Sequence, residues 1–298
     1  MVKRTEVEFE ADGGVKLRGW LFVPDGPAGR HPAITMAHGY AGVKEHGLEP
    51  FARLFAENGF VVLLHDHRGF GASEGQPRQD VDPWRQIADW RRAISYLETL
   101  PSVDPKRIGL WGTSYAGGHA IVLGATDRRL RAVVAQVPTI SGFEQGLRRI
   151  APENVAAIEE AFAEDERSQL RGEPLRRQTI VSADPAVSAS YRAKDAIDFY
   201  LQPLPDGVWE NNVTVRSTRA ARMYEPGQWI ARVSPTPLLM VVATHDTITL
   251  TDLELAAYER ALQPKRLVTI EGSHFAPYVS QFAQSSGAAL DWFKSHLG

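Results

Sequence analysis

Residues 109–120 read GLWGTSYAGGHA, an apolar run that opens onto small residues with one serine, Ser114, in a cluster of glycines. Glycines at 112, 117 and 118 give a poor strand or helix interior but a good sharp turn, because a residue without Cβ lets neighbouring backbone approach closely. RIGLWG before the serine reads as a strand, and AGGHAIVLGA after it reads as a helix. A serine on a tight strand-to-helix turn presents its hydroxyl clear of the backbone, as a nucleophile must. Ala116 stands where such turns commonly carry a glycine, and its single methyl is small enough for the same turn.

A serine hydroxyl is a weak nucleophile until a base takes its proton, and that base needs a group to orient it. LLMVVATHDTITL places Asp246 just past the end of a buried strand, and RLVTIEGSHFAPY places His274 just past the next. Loops beyond the carboxyl ends of parallel strands converge on one edge of a sheet. Ser114, Asp246 and His274 are therefore the candidate nucleophile, orienting acid and base, while His245 reads as a solvated neighbour. Acyl transfer also needs donors for the developing oxyanion. The amide of Tyr115 and an amide from HGYAG at 38–42, that of Tyr40, are the candidate pair. DHRGFGASEG at 66–75 is glycine-rich but fits no phosphate-loop pattern. Asp66 and Arg68 in it are expected to hydrogen-bond loops near the site.

The surrounding pattern sets the fold. Residues 6–9 and 15–23 alternate around ADGG, predicting an antiparallel hairpin. AITMAH, FVVLLH, RIGLWG, RAVVAQVP, PLLMVVAT and RLVTIEG predict strands, AITMAH and PLLMVVAT among them buried. Helices are expected over 47–58, 84–100, the segment after Ser114, 252–262 and roughly 278–297. This alternation predicts an α/β fold with a mostly parallel central sheet and helices on both faces. It breaks down over residues 139–234, which are expected to form a mainly helical cap insertion between core segments 1–138 and 235–298. Phe199, Tyr200, Trp209, Tyr224 and Trp229 are too many large rings for a solvated surface; some of them are expected to line an apolar acyl pocket, the alternative for any one being the insertion's own small core.

Composition narrows the chemistry. The 298 residues contain no cysteine and carry a formal net charge of −3. Disulfides, thiolate metal sites and a cysteine nucleophile are excluded, and no basic field offers itself to nucleic acid. No histidine and carboxylate spacing suggests a metal, so no cofactor is expected. The expected partner is a small acyl ester or thioester, with no nucleic acid and no membrane. The oligomeric state is open, a homodimer among the options, and the default address is cytoplasmic, since no apolar run suits a signal peptide or a membrane span.

AHGYAGVKE, HDHRGFGASEG, VDPWRQIADWRRAISYL, GLWGTSYAGGH, PTPLLMVVATHD and GSHFAPY together resemble the α/β-hydrolase superfamily over nearly the whole chain. Within it they resemble bacterial esterases and fungal polyketide transferases related to the dienelactone-hydrolase and Xaa-Pro dipeptidyl-peptidase groups. The resemblance implies an acyl-serine intermediate at Ser114, with His274 as base and Asp246 as its orienting acid. Dienelactone hydrolases use a cysteine that this chain lacks, so their lactone substrate is not implied. The expected function is a serine esterase or thioesterase. An acyltransferase with the same triad and a non-catalytic binding protein on the same scaffold are the alternatives.

Overall fold

The computed structural model describes residues 2–25 and 29–298; Met1 and the centre of the loop expected at 24–32 lie outside the described residues. Strands β1 (Lys3–Glu10) and β2 (Lys16–Val23) form the expected antiparallel hairpin, in register from Lys3 opposite Val23 to Glu10 opposite Lys16. Gly13 and Gly14 turn it at φ 80° and 75°, the left-handed region that favours glycine.

The remaining strands of the large sheet are β3 (His31–Ala37), β4 (Val61–His65), β5 (Val103–Thr113), β6 (Leu130–Gln136), β10 (Leu238–Ala243) and β11 (Lys265–Ile270). The sheet has eight strands in the order β1-β2-β4-β3-β5-β6-β10-β11. From β4 to β11 every pairing is parallel, and only β1 and β2 run antiparallel to their neighbours. Nearly continuous burial of β3, β4, β5, β6 and β10 follows from cover on both faces.

Helices α1 (Glu49–Glu57), α2 (Pro83–Thr99), α3 (Tyr115–Thr126), α8 (Thr251–Arg260) and α9 (Phe282–Leu297) supply that cover. Strand β5 shows both sides at once. A Cβ on Gly109 would strike Phe293 and Leu297 of α9, whereas one on Gly112 would strike Ala116 and Ala120 of α3. Helix α2 starts where Asp82 caps it, accepting from the amides of Trp84 and Arg85.

Between β6 and β10 lie α4 (Gly142–Arg149), α5 (Val155–Leu170), α6 (Lys194–Tyr200) and α7 (Val215–Arg222), together with short strands β7 (Arg177–Val181), β8 (Ala189–Tyr191) and β9 (Asn212–Thr214). Those strands form a second sheet in the order β8-β7-β9 that the sequence pattern did not announce. They run for three to five residues and carry arginine, asparagine and threonine, too short and polar for a periodic signal. Among the described residues no helix is long and apolar enough to cross a membrane.

Besides His274, five histidines among the described residues are buried where the sheet meets the loops at its carboxyl edge: His38, His46, His65, His67 and His119. Burial is the leading cause that lowers all five, to about 4 for His38 and His46 and about 3 for His65 and His119. A folded state that keeps these rings neutral loses stability once pH falls below the unfolded value near 6.5, because only the unfolded chain then takes up the protons. The loss continues until the folded values are reached. At pH 5 each ring so held withdraws stability on the order of 2 kcal/mol. The thermal midpoint is expected to hold between pH 8 and 7 and to fall steeply from pH 6.5 to 4.5. A midpoint unchanged at pH 5 in a calorimetric series would show that the rings are not held neutral.

Candidate active site

Ser114 occupies the turn between β5 and α3 at φ 56° and ψ −121°, a strained conformation for a residue with a side chain. Neighbouring backbone pins it there. Its amide donates to Gln136 O at 2.8 Å, and its carbonyl accepts from Gly117 N at 2.9 Å and Thr139 N at 2.9 Å. The glycines around it have specific steric reasons. A Cβ on Gly112 would come within 2.2 Å of the Ala116 carbonyl oxygen, one on Gly117 within 2.9 Å of Pro138, and one on Gly39 within 2.9 Å of the Ser114 Cβ. Ala116 itself is fully buried without displacing the turn.

Three strand exits meet here. His274 Nε2 lies 3.0 Å from Ser114 Oγ, and His274 Nδ1 lies 2.6 Å from Asp246 Oδ2. The carboxylate can only accept, so Nδ1 carries the ring proton and Nε2 is free to accept from the serine hydroxyl. Asp246 Oδ1 accepts from the amides of Ile248 at 2.7 Å and Thr249 at 2.8 Å, and Oδ2 also accepts from Thr249 Oγ1 at 2.7 Å. Burial pushes this carboxyl upward, but the charge and hydrogen bond of His274 and the bonds from Thr249 outweigh it and hold its pKa at about 2. Asp246 is thus the charged member of the set.

Behind it stands Glu254, fully buried, with Oε1 3.0 Å from the Thr249 hydroxyl. Burial, reinforced by the charge on Asp246, raises Glu254 well above the usual carboxylate range, so only one negative charge is held behind His274. Thr249 escaped the sequence reading, although the D-x-x-T spacing in HDTITL is a turn signature that puts the hydroxyl back on the aspartate.

Tyr115 opens α3, so its amide is among those a helix leaves without an internal partner. Tyr40 lies in the turn after β3, beside Gly39, and its ring meets that of Tyr115 edge to face at 5.5 Å. His38 supports this turn: its Nε2 accepts from the His67 amide at 3.2 Å while Nδ1 donates to Gly39 O at 3.0 Å. Asp66 accepts from Lys44 N, Lys44 Nζ and Ala72 N, and Arg68 makes two 2.6 Å bonds to Asp89. Asp66 thus makes the loop contacts expected of it, whereas Arg68 is anchored to a carboxylate inside helix α2.

Of the five aromatic residues expected in a pocket, Phe199 and Tyr200 line the small space over Ser114, together with Leu48, Phe275 and Tyr278. Phe199 stacks on Phe275 at 4.5 Å. Trp209 stands behind Tyr200, stacked on it at 5.9 Å, and Tyr224 is buried at the start of α3 with its hydroxyl donating to His119 Nδ1 at 2.9 Å. Trp229 sits half-buried under the Arg232 guanidinium, on the turn at Pro226–Arg232. None of these three lines that space, because a sequence reports that a ring is buried and not what it faces. The space over Ser114 measures only about 20 Å³. A wider groove of about 700 Å³, lined by Phe143, Met223, Leu253 and Arg260, touches none of Ser114, Asp246 and His274. Among the described residues no group of three or more histidine, aspartate or glutamate side chains is placed to hold a metal.

Residues 12–276 match the X-Pro dipeptidyl-peptidase (S15) family. The chain belongs to that family. Its architecture is that of the α/β-hydrolase GrgF from a Penicillium species, whose crystal structure superposes with a TM-score of 0.85 at 29% identity over 99% of both chains. The curated polyketide transferase grgF of Penicillium is 31% identical over 99% of this chain and 97% of its own. Thiohydrolase aneE of Aspergillus aculeatus is 33% identical over 88% of this chain and 83% of its own. The quorum-quenching protein AidA of Acinetobacter baumannii is 34% identical over 82% of this chain and 79% of its own. Within the S15 family frame, Ser114, Asp246 and His274 arrive at one sheet edge from three separate loops, and Tyr40 and Tyr115 flank the serine.

Proposed function

We propose that the protein is a serine hydrolase that cleaves carboxylic esters or thioesters through an acyl-enzyme on Ser114. The observation that carries this reading is the unbroken chain from Ser114 Oγ to His274 Nε2 and from His274 Nδ1 to Asp246. Ser114 attacks the acyl carbon while its proton passes to His274 Nε2. The carbonyl oxygen takes the electron pair and is received by the amides of Tyr40 and Tyr115. Collapse of the tetrahedral species breaks the bond to the alkoxide or thiolate, which leaves with the proton from His274. Water then attacks the acyl-serine by the same steps in reverse, releasing the acid and restoring the hydroxyl.

A specific observation favours a second reading, acyl transfer to an alcohol. Phe199, Phe275 and Leu48 close the space over Ser114 with apolar surface, and an acyl-enzyme shielded from water lasts long enough to meet a bound acceptor. The relatives named thiohydrolase and polyketide transferase lend support to the two readings respectively. A non-catalytic binding role gives no reason for the strained serine or for the aligned imidazole. Turnover of ester and thioester pairs that share one acyl group, with and without a primary alcohol, separates hydrolysis from transfer. Absence of turnover together with absence of labelling by a fluorophosphonate would overturn the enzyme reading.

The cap rings make a further expectation. Phe199 and Tyr200 bound the acyl side of the serine, so Phe199→Ala should lengthen the preferred acyl chain. Each added methylene that finds cover contributes about 0.8 kcal/mol, or roughly fourfold in kcat/KM. Trp229→Ala, remote from this space, should leave the profile unchanged. A series of p-nitrophenyl esters from acetate to decanoate reads both, and an unaltered profile for Phe199→Ala would place the acyl pocket elsewhere.

A further inference from the structure

The cap does more than cover the serine. Tyr200 Oη donates to the carbonyl of Tyr40 at 2.7 Å, and Trp209 Nε1 donates to the carbonyl of Ala41, the next residue, at 2.7 Å. A third tie runs the other way. His46 accepts from Val43 N through Nδ1 at 3.0 Å and donates to the Tyr200 carbonyl through Nε2 at 3.3 Å. Apart from the His38 bond to Gly39 O, the centre of the turn that receives these bonds has little backbone support. Ala41 sits at φ 53°, and among the described residues the backbone bond across the turn, Gly42 N to Gly39 O, is long at 3.4 Å. All three side chains pack as one group, with Tyr200 stacked on Trp209 at 5.9 Å and His46 edge-on to Trp209 at 5.2 Å.

We infer that Tyr200 and Trp209 are positioning residues, through which the cap sets the turn that carries the Tyr40 amide toward the oxyanion. The inference rests on the proposed acyl-enzyme chemistry of Ser114 and on Tyr40 as one of its two oxyanion donors. Two adjacent carbonyls held from outside fix the peptide planes on either side of Ala41. The Tyr40 amide belongs to the preceding peptide, whose Gly39 carbonyl accepts from His38 Nδ1 at 3.0 Å, so the cap bears on it one residue away, by holding the Tyr40 Cα between the two. Burial raises the Tyr200 phenol well above its usual range, so the hydroxyl stays a donor across the working pH range. The same ring lines the space over Ser114, which at about 20 Å³ holds no acyl chain. A substrate that makes room for its acyl chain by displacing Tyr200 would also break the bond to Tyr40.

Tyr200→Phe removes only the donor, whereas Trp209→Phe keeps an aromatic ring but removes the donor together with part of the stacked surface. With p-nitrophenyl butyrate each should lower kcat roughly tenfold and leave KM within about twofold, a fraction of the loss when an oxyanion donor is removed outright. The double variant should lose less than the product of the singles, because both bonds hold one turn. Rates are taken per active site, titrated with a fluorophosphonate, so that partial unfolding does not count as lost catalysis. An alkyl boronic acid, whose tetrahedral adduct on Ser114 places an oxygen between the donors, should bind each variant about tenfold more weakly. A planar carboxamide analogue of the same acyl group should bind as to the wild type. Unchanged kcat in both variants, or equal weakening of the boronate and the planar analogue, overturns the inference and leaves the two rings as packing. A wild type that neither turns over the ester nor reacts with the fluorophosphonate overturns the hydrolase reading itself, a result distinct from active variants.

Discussion

Ser114→Ala is expected to leave a folded protein whose ester turnover falls by roughly 10⁶, the size of loss when a serine nucleophile is removed from a complete triad. The hydroxyl bonds to His274 Nε2, and the turn is held by the amide and carbonyl of Ser114, which alanine keeps. Alanine also keeps the Cβ, so the backbone strain at φ 56° is unchanged. The stability cost is that of one neutral hydrogen bond, about 1 kcal/mol. Steady-state kinetics beside a thermal melt measure both quantities. Retention of more than a tenth of wild-type turnover, at an unchanged melting point, would remove Ser114 from the mechanism.

Asp246→Asn is expected to cost about 10⁴ in kcat by reversing the imidazole, as in the serine-protease precedent for the same change. The wild-type carboxylate accepts at both oxygens, from Ile248 N and Thr249 N on one and from Thr249 Oγ1 and His274 Nδ1 on the other. An asparagine must turn its amide nitrogen toward one of these groups. Facing the two backbone amides it would oppose donor to donor, so it faces His274, whose Nδ1 must then accept. The ring proton moves to Nε2, and the imidazole can no longer take a proton from Ser114. Folding should survive, since the amide oxygen still receives both backbone bonds. Near wild-type activity for Asp246→Asn, with loss in a Glu254 variant, would transfer the orienting role to Glu254.

Much of this site was legible because its parts are local. A strand, a turn too tight for side chains and a helix can be read within residues 109–120, and the steric clashes at Gly112 and Gly117 are the physical content of that pattern. Asp246 and His274 were legible for the same reason, each following an apolar strand whose carboxyl end must reach the same sheet edge. His38-Gly39 belongs with them, since Gly39 has no room for a Cβ against Ser114. Hydrophobic periodicity placed the hairpin, the central strands and the covering helices, because alternation and helical spacing are direct consequences of which face is buried.

Beyond those limits the sequence by itself determined identities and the tertiary structure decided directions. It determined that Phe199, Tyr200, Trp209, Tyr224 and Trp229 are large rings in one inserted segment. Only packing put Phe199 and Tyr200 over Ser114, turned the Tyr200 hydroxyl and the Trp209 indole onto the carbonyls of Tyr40 and Ala41, and set Trp229 beneath Arg232. It determined that Glu254 lies on an ordinary-looking helix of mixed residues. Only the fold buried that carboxyl behind Thr249, where ionising it costs more than keeping its proton. The division has one cause: turn sterics and periodicity act between residues near in sequence, while desolvation and long-range hydrogen bonds depend on which distant segment arrives, and from which side.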